Sequence, residues 1–503
     1  MPHTTLSEGL QTSWDSYDRE AIKRIQHYLT GARMLISTPS IELPKAVEEI
    51  EKSQAFYTLL EHVQHEIALR GYHNKCHISF WSNALRNVLK RSGYYSRIAH
   101  HSRKPNSKVE LRRILSAFDR RHQTITYLAP MEYVGFKQAN LRFQTFTIQR
   151  FSKEQLDHIF DVELNKLYFP WAVIDTVTLS DYWFVVVKEK GRVQPLGKTK
   201  IDLGSVGKID ISYSSFPALE KAFQRLALFD WQPDYSRHEK QGERPEWQGW
   251  LGFEIPFVIR LSNNLLKAPQ QRPIMSALAT EPYFDPITNE ELGEQPTRHI
   301  NLDEEETQSL ARSIKETDRA IRNIEPTQEV WPFLVRALRF QVKGFFTNEL
   351  EQLLWHITVV EALFGEDIPG VTKRLAKRTA AVTGQSETER NRIKERFEEL
   401  YDFRSRLVHG DKFKKQIWGG HLRDARDMSR QSLLWFINLA SKVFSSNRKK
   451  SLSALPTRNE LLALIDLRPD AITRFAKIIR SEPSTFPATP SWNSRTTRLE
   501  KKK

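Results

Sequence analysis

The sequence predicts a multidomain α+β protein: a helical N-terminal region, a mixed α/β middle domain and a C-terminal all-α up-and-down helical bundle. At 503 residues the chain exceeds one ordinary core, since domains run to roughly 100–200 residues. Hydrophobic and charged contents of 39% and 27% are those of globular chains. Apolar residues recur at helical spacing up to about Arg121, give way to short β-branched and aromatic runs, and return to helical spacing after about Ile300. The expected boundaries are residues 1–120, 121–265, a linker at 266–300, the bundle at 301–446 and a basic tail with one helix at 447–503.

In Pro44 to Arg70, Val47, Ile50, Phe56, Leu59, Leu60, Val63 and Ile67 predict one helix stopped at Gly71. A second is predicted over Ile78 to Leu89, followed by the basic stretch SGYYSRIAHHSRKPNSK, read as a loop or binding surface. Strands are expected at Thr124 to Leu128, Arg142 to Phe151, Ala172 to Leu179, Tyr182 to Lys188, Lys208 to Tyr213 and Gly252 to Leu261. Helices are expected at Lys153 to Leu167 and Phe216 to Phe229. The proline-rich stretch from Ser262 to Thr297 reads as an arm ahead of the acidic helix start NLDEEE.

The C-terminal helices can be drawn with their ends. Val330 to Phe346 comes first, then a helix from Asn348 and Glu351, in capping-box spacing, to Phe364 and Gly365. Its stripe of Leu350, Leu353, Leu354, Ile357, Val360 and Phe364 leaves Glu361 beside the seam, where a carboxylate needs a partner. Thr372 to Val382 follows, ending at Gly384. Ser386 and Glu389 open a long helix with Ile393, Phe397, Leu400, Arg404, Leu407 and Val408 on or near one face, and His409 in its last turn before Gly410. His421 to Phe444 closes an antiparallel bundle. A further helix is expected over Arg458 to Ile479, and the Pro/Ser/Thr-rich end reads as a mobile basic tail.

Composition narrows the function classes. The formal net charge of +15 is spread along the chain and favours polyanions through salt-sensitive attraction. A single cysteine, Cys76, allows no intramolecular disulfide, residues 1–31 carry no basic-then-apolar leader, and no apolar run approaches the roughly 20 residues that span a bilayer. The expectation is a cytoplasmic protein without a membrane span. No GxxxxGK loop is present, and GSVG at Gly204 to Gly207 reads as a turn.

The segment YDFRSRLVHGDKF, Tyr401 to Phe413, holds an arginine and a histidine at the end of a rigid helix. Five positions separate Arg404 from His409, about 140° around an ideal helix, close enough for the long arginine side chain to reach a shared cavity. A guanidinium offers fixed donors to phosphate oxygens, and an imidazole exchanges protons near neutral pH. The competing reading pairs Arg404 with Glu361 or Glu398 and makes His409 a helix cap.

The segment from about Val330 to Phe444 resembles the Apea-like HEPN domains of bacterial proteins. The resemblance rests on ITVVEALFG at Ile357 to Gly365, KRLAKRTAAVTG at Lys373 to Gly384 and LYDFRSRLVHG at Leu400 to Gly410. It implies a HEPN-like helical bundle and a metal-independent ribonuclease that dimerises through this domain so that two motifs form one cleft. Arg404 would hold the scissile phosphate, His409 would act as acid or base, and the RNA 2′-hydroxyl would attack to give a cyclic phosphate. Ser405 stands where ribonuclease members often carry Asn, Asp or His, and Glu361 is the candidate for orienting Arg404. The resemblance further implies anti-phage defence, with the first 300 residues as a sensor or regulator answering a phage-derived or nucleotide trigger. The alternative is a non-catalytic RNA- or nucleotide-binding sensor module.

Arg86, Lys90, Arg91, Arg103 and Lys104, with Tyr94 and Tyr95, form a basic patch read as a second RNA surface or a solvated face; Arg406 and Lys412 extend the first. His73, Cys76, His77, His100 and His101 lack the paired spacing of a zinc site. No metal or other cofactor is expected. Trp247 and Trp250 read as core aromatics sooner than base-stacking platforms.

Overall fold

The computed structural model describes residues 42–69, 77–95, 106–160 apart from 139, 175–193, 216–231, 253–273, 300–324, 331–366 apart from 348, 370–409, 419–446 and 457–467. A few isolated positions between 26 and 32 and between 164 and 168 are also described. The described residues are mostly helical with a small antiparallel sheet, a multidomain α+β arrangement.

The N-terminal helices are α1 (Leu43–Lys52), α2 (Gln54–Leu69), α3 (Ile78–Arg91) and α4 (Ser107–Asp119). The single helix expected over Pro44 to Arg70 is two, because Ser53 adopts extended backbone (φ −75°, ψ 153°) and its hydroxyl donates to the Ile50 carbonyl. The predicted apolar positions Val47, Ile50, Phe56, Leu59, Leu60, Val63 and Ile67 nevertheless all enter one core with residues of α3 and α4.

The middle region contains β1 (His122–Met131), β2 (Val134–Phe136), β3 (Asn140–Arg142), β4 (Thr147–Arg150), α5 (Lys153–Phe160), α6 (Thr176–Leu179), β5 (Trp183–Arg192), α7 (Pro217–Leu226), β6 (Phe257–Ser262) and β7 (Gln270–Pro273). Six strands form an antiparallel sheet in the order β3-β4-β5-β1-β6-β7. In the β1–β5 register Tyr127 lies opposite Val187 and Leu128 opposite Val186. Alternation then sends Ile125, Tyr127, Ala129, Val185 and Val187 to a core shared with α7, while Leu128, Phe184 and Val186 face α5 and α6. Both faces are covered, which explains why these strands carry nearly continuous apolar runs.

Three expectations are corrected here. The run Ala172 to Leu179 is not a strand in its described part: Asp175 accepts from the amides of Val177 and Thr178 and opens the short helix α6. Arg142 to Phe151 divides into β3 and β4. The arm expected at 266–300 begins inside the fold, since β7 pairs with β6 and Leu266 enters the N-terminal core. The runs expected at Lys208 to Tyr213 and after Leu467 lie outside the described residues.

Next comes β8 (Ile300–Leu302), which pairs in parallel with β2 and leads into α8 (Glu304–Ile324). A reciprocal capping box starts α8: the Glu306 amide donates to Asp303 Oδ1 at 2.9 Å and the Asp303 amide to Glu306 Oε2 at 3.0 Å. The remaining helices are α9 (Pro332–Phe345), α10 (Glu349–Phe364), α11 (Val371–Thr383), α12 (Glu387–His409), α13 (Gly419–Ser446) and α14 (Arg458–Leu467).

All of these helices contribute to one apolar core, which also takes in Leu228 from the middle region. Conversely, Leu310 and Ile314 of α8 and Val342, Phe345 and Phe346 at the end of α9 lie in the core under the sheet. Packing therefore runs continuously across the boundary expected near Ile300. Buried charge follows the same seam: Arg225 Nε of α7 pairs with Asp318 Oδ1 of α8 at 3.0 Å, both side chains nearly solvent-free. Arg430 of α13 reaches Asp230 at 3.4 Å.

Candidate active site

Helix α12 is fixed at its start by the predicted capping box. The Glu389 amide donates to Ser386 Oγ at 3.1 Å, and Glu389 Oε2 accepts from the Gln385 amide at 2.8 Å. Ile393, Phe397, Leu400 and Phe403 anchor it in the bundle core. Beyond them the helix leaves the core: Val408 is 56% exposed, and His409, its last residue, is exposed. Val408, expected on or near the packed face, is thus open to solvent, because the apolar partners of this end stop at Phe403, while Arg404 is half-buried.

Helix α10 supplies the carboxylate. Val360, Leu363 and Phe364 are buried in the bundle core, which leaves Glu361 half-buried at its margin. Leu350 and Leu354 of the expected stripe lie outside the fully buried set, Leu350 being 37% exposed. The described end of α10 is held by two arginines. Arg378 Nη1 donates to the Phe364 carbonyl at 2.6 Å and pairs with Glu366 and Asp466 at 2.5 and 2.6 Å, while Arg458 donates to the carbonyls of Ala362, Leu363 and Gly365. These contacts satisfy the carbonyls left over at the helix C-terminus.

Between α10 and α12 stands a three-residue cluster. Arg404 Nη2 donates to Glu361 Oε2 at 3.2 Å, with the two side chains 27% and 24% exposed. Tyr401 Oη donates to Glu361 Oε1 at 3.0 Å, and the Arg404 guanidinium lies 5.7 Å from the centre of the Tyr401 ring. Burial, and after it the Glu361 charge, pushes the Tyr401 hydroxyl above its ordinary range, so it remains a donor. Of the two carboxylates weighed for Arg404, Glu361 is the partner. Tyr401 was not singled out in the sequence; its place one turn before Arg404 on the same helix was the available signal.

Ser405 is half-buried and Arg406 exposed, the latter in a surface pair with Asp402 at 2.9 Å. Lys412 lies outside the described residues, as do Arg103, Lys104, His73, Cys76, His100, His101, Gly204 to Gly207, Trp247 and Trp250. His77 caps α3 through its ring, accepting from the Ser79 amide at 3.3 Å. Among the described residues no three His, Cys, Asp or Glu side chains are gathered to hold a metal, and no helix is long and apolar enough to cross a membrane.

The described members of the second basic patch have partners within the fold. Lys90 Nζ lies 3.3 Å from the Glu51 carboxylate and 5.5 Å from the Tyr168 ring centre. Arg86 reaches the same carboxylate at 3.6 Å and stacks 5.3 Å over Phe56. Arg91 donates to the carbonyls of Ser262, Asn264 and Lys267 in the β6–β7 turn. Tyr94 and Tyr95 are buried, Tyr95 sharing a hydroxyl contact of 2.9 Å with Tyr28. These side chains hold the N-terminal helices together and onto the sheet.

Comparison with family models, with curated proteins and with solved structures finds no match to this chain.

Proposed function

We propose that the chain is a metal-independent endoribonuclease with a HEPN-like bundle, working as a homodimer through its C-terminal helices. The observation that carries this reading is Arg404 itself: held to Glu361 by one hydrogen bond, partly open to solvent, and carried on the helix that ends at exposed His409. The resemblance of LYDFRSRLVHG to the HEPN motif supplies the reaction. A ribose 2′-hydroxyl loses its proton and attacks the adjacent phosphorus, the bond to the 5′-oxygen breaks, and a 2′,3′-cyclic phosphate and a 5′-hydroxyl result. Arg404 offers its donors to the charge on the phosphoryl oxygens, where a fixed cation does most at the transition state. His409 moves a proton onto or off the reacting oxygens. By the same resemblance the nuclease belongs to anti-phage defence in the bacterial cytoplasm, and the first 300 residues sense or regulate.

We expect the wild-type protein to cleave total RNA in the presence of EDTA. His409→Ala should abolish that cleavage with an unchanged circular-dichroism spectrum and elution volume, because an exposed last-turn residue carries little packing. Cleavage that needs an added divalent metal, or unfolding of the variant, would overturn the reading. The Arg404–Glu361 pair also suits a non-catalytic RNA- or nucleotide-binding module, since the carboxylate offsets part of the cation's charge. That reading expects RNA binding, without products, from the wild type and from His409→Ala alike.

A further inference from the structure

Glu361 receives two donors from one face of α12. Its Oε2 accepts from Arg404 Nη2 and its Oε1 accepts from the Tyr401 hydroxyl, three residues earlier on the same helix. A carboxylate beside a guanidinium otherwise settles into a two-point contact, in which two parallel N–H···O bonds use both carboxylate oxygens. Oε1 instead accepts from Tyr401, so a two-point contact with Arg404 would have to share that oxygen or turn it away from the hydroxyl. Among the described residues no hydrogen bond reaches the Nε or Nη1 of Arg404.

We propose that Tyr401 is a positioning residue that keeps Glu361 in one-point contact with Arg404, leaving the other guanidinium donors for an RNA phosphate. The inference deepens the nuclease reading and rests on it for the identity of the anion. Tyr401 touches neither phosphate nor nucleophile in this scheme; it acts through the carboxylate. Its ring, tilted against Phe397 at 6.2 Å between centres, fixes where the hydroxyl points. Removing only that hydroxyl frees Oε1 to turn toward Arg404 and draws a second donor into the pair. Glutamine at 361 cannot do this, because its amide nitrogen is itself a donor and faces a guanidinium unfavourably.

The test is a double-substitution cycle on the full chain with Tyr401→Phe, Glu361→Gln and both together. One readout is kcat/KM for RNA cleavage in EDTA; the other is affinity for a 2′-O-methyl RNA oligonucleotide, which has no free nucleophile. We expect Tyr401→Phe alone to lose about tenfold in both, as a hydrogen bond to a charged group allows. In the Glu361→Gln background the same change should cost less than about twofold. A loss of equal size in both backgrounds marks Tyr401 as a packing residue and overturns the proposal, as does an unchanged Tyr401→Phe. In either case wild-type cleavage would leave the nuclease reading standing. Coupled losses in affinity without cleavage by any form would retain the positioning role and remove the nuclease. A wild type that neither binds nor cleaves RNA overturns both.

Discussion

An imidazole with no exposed surface, His356 of α10, sits between α9 and α13 and shows how a single residue ties this fold to pH. Its Nδ1 lies 2.9 Å from Ser429 Oγ, whose hydroxyl points toward Gln341 Oε1 and the Arg426 carbonyl. The ring packs so closely on α9 that a Cβ at Gly344 would stand 2.9 Å from it, which is why that helix carries a glycine there. Burial, with the Arg426 guanidinium adding to it, pushes the His356 pKa down to about 3. The unfolded chain, with its histidine near the usual 6.5, therefore takes up the proton first, and stability falls as pH drops below about 6.5. At roughly 1.4 kcal/mol per pH unit the loss is about 2 kcal/mol at pH 5. Urea unfolding at pH 7.5 and 5.0 should show wild type losing about that much more than His356→Gln; equal losses would mean the ring is not held neutral. At this scale the sequence was least legible. Periodicity places Arg404 on or near an apolar face and leaves Glu361 and Glu398 as its candidate partners; the tertiary contact with Glu361, 43 residues away, decides between them.

Among elements, α12 was the most legible and the basic patch around α3 the least. Ser386 and Glu389 announce the start of α12 because a cap is a local interaction, complete within five residues. We expect Ser386→Ala to cost about 1 kcal/mol in unfolding free energy, and an unchanged thermal midpoint would count against the cap. The charges of α3 suggest an open surface because their partners are remote: the carbonyls that hold Arg91 lie more than 170 residues on. Thr176 to Leu179 misled for another reason. Its β-branched residues suit a strand, but the Asp175 cap ahead of them and the turn at Ser180 leave room for one helical turn alone. Strands β1 and β5 were legible because their apolar runs serve two covered faces.

At the scale of the whole molecule, the change in periodicity near residue 300 located the start of the helical region but not how it is joined. Packing across that point is not visible in a pattern that repeats every few residues. Ion pairing sharpens it: Asp318 holds Arg225 across the seam and Arg322 on its own helix at 3.2 Å. Replacing Asp318 with alanine strands a buried cation, which typically costs about 3–5 kcal/mol. We expect Asp318→Ala to lower the urea midpoint sharply, with Trp231 under the sheet and Trp331 in the bundle core still reporting one coincident transition. Separate transitions at the two indoles would show that the regions unfold independently.

Helix α9 gives half its apolar side chains to one core and its last turn to the other. Exchange of modules is therefore not free in this architecture. A bundle cut away and grafted behind a different head would carry Val342, Phe345 and Phe346 as an uncovered stub, so any lineage that swapped the front half had to refit this joint before the new chimera could stay in solution.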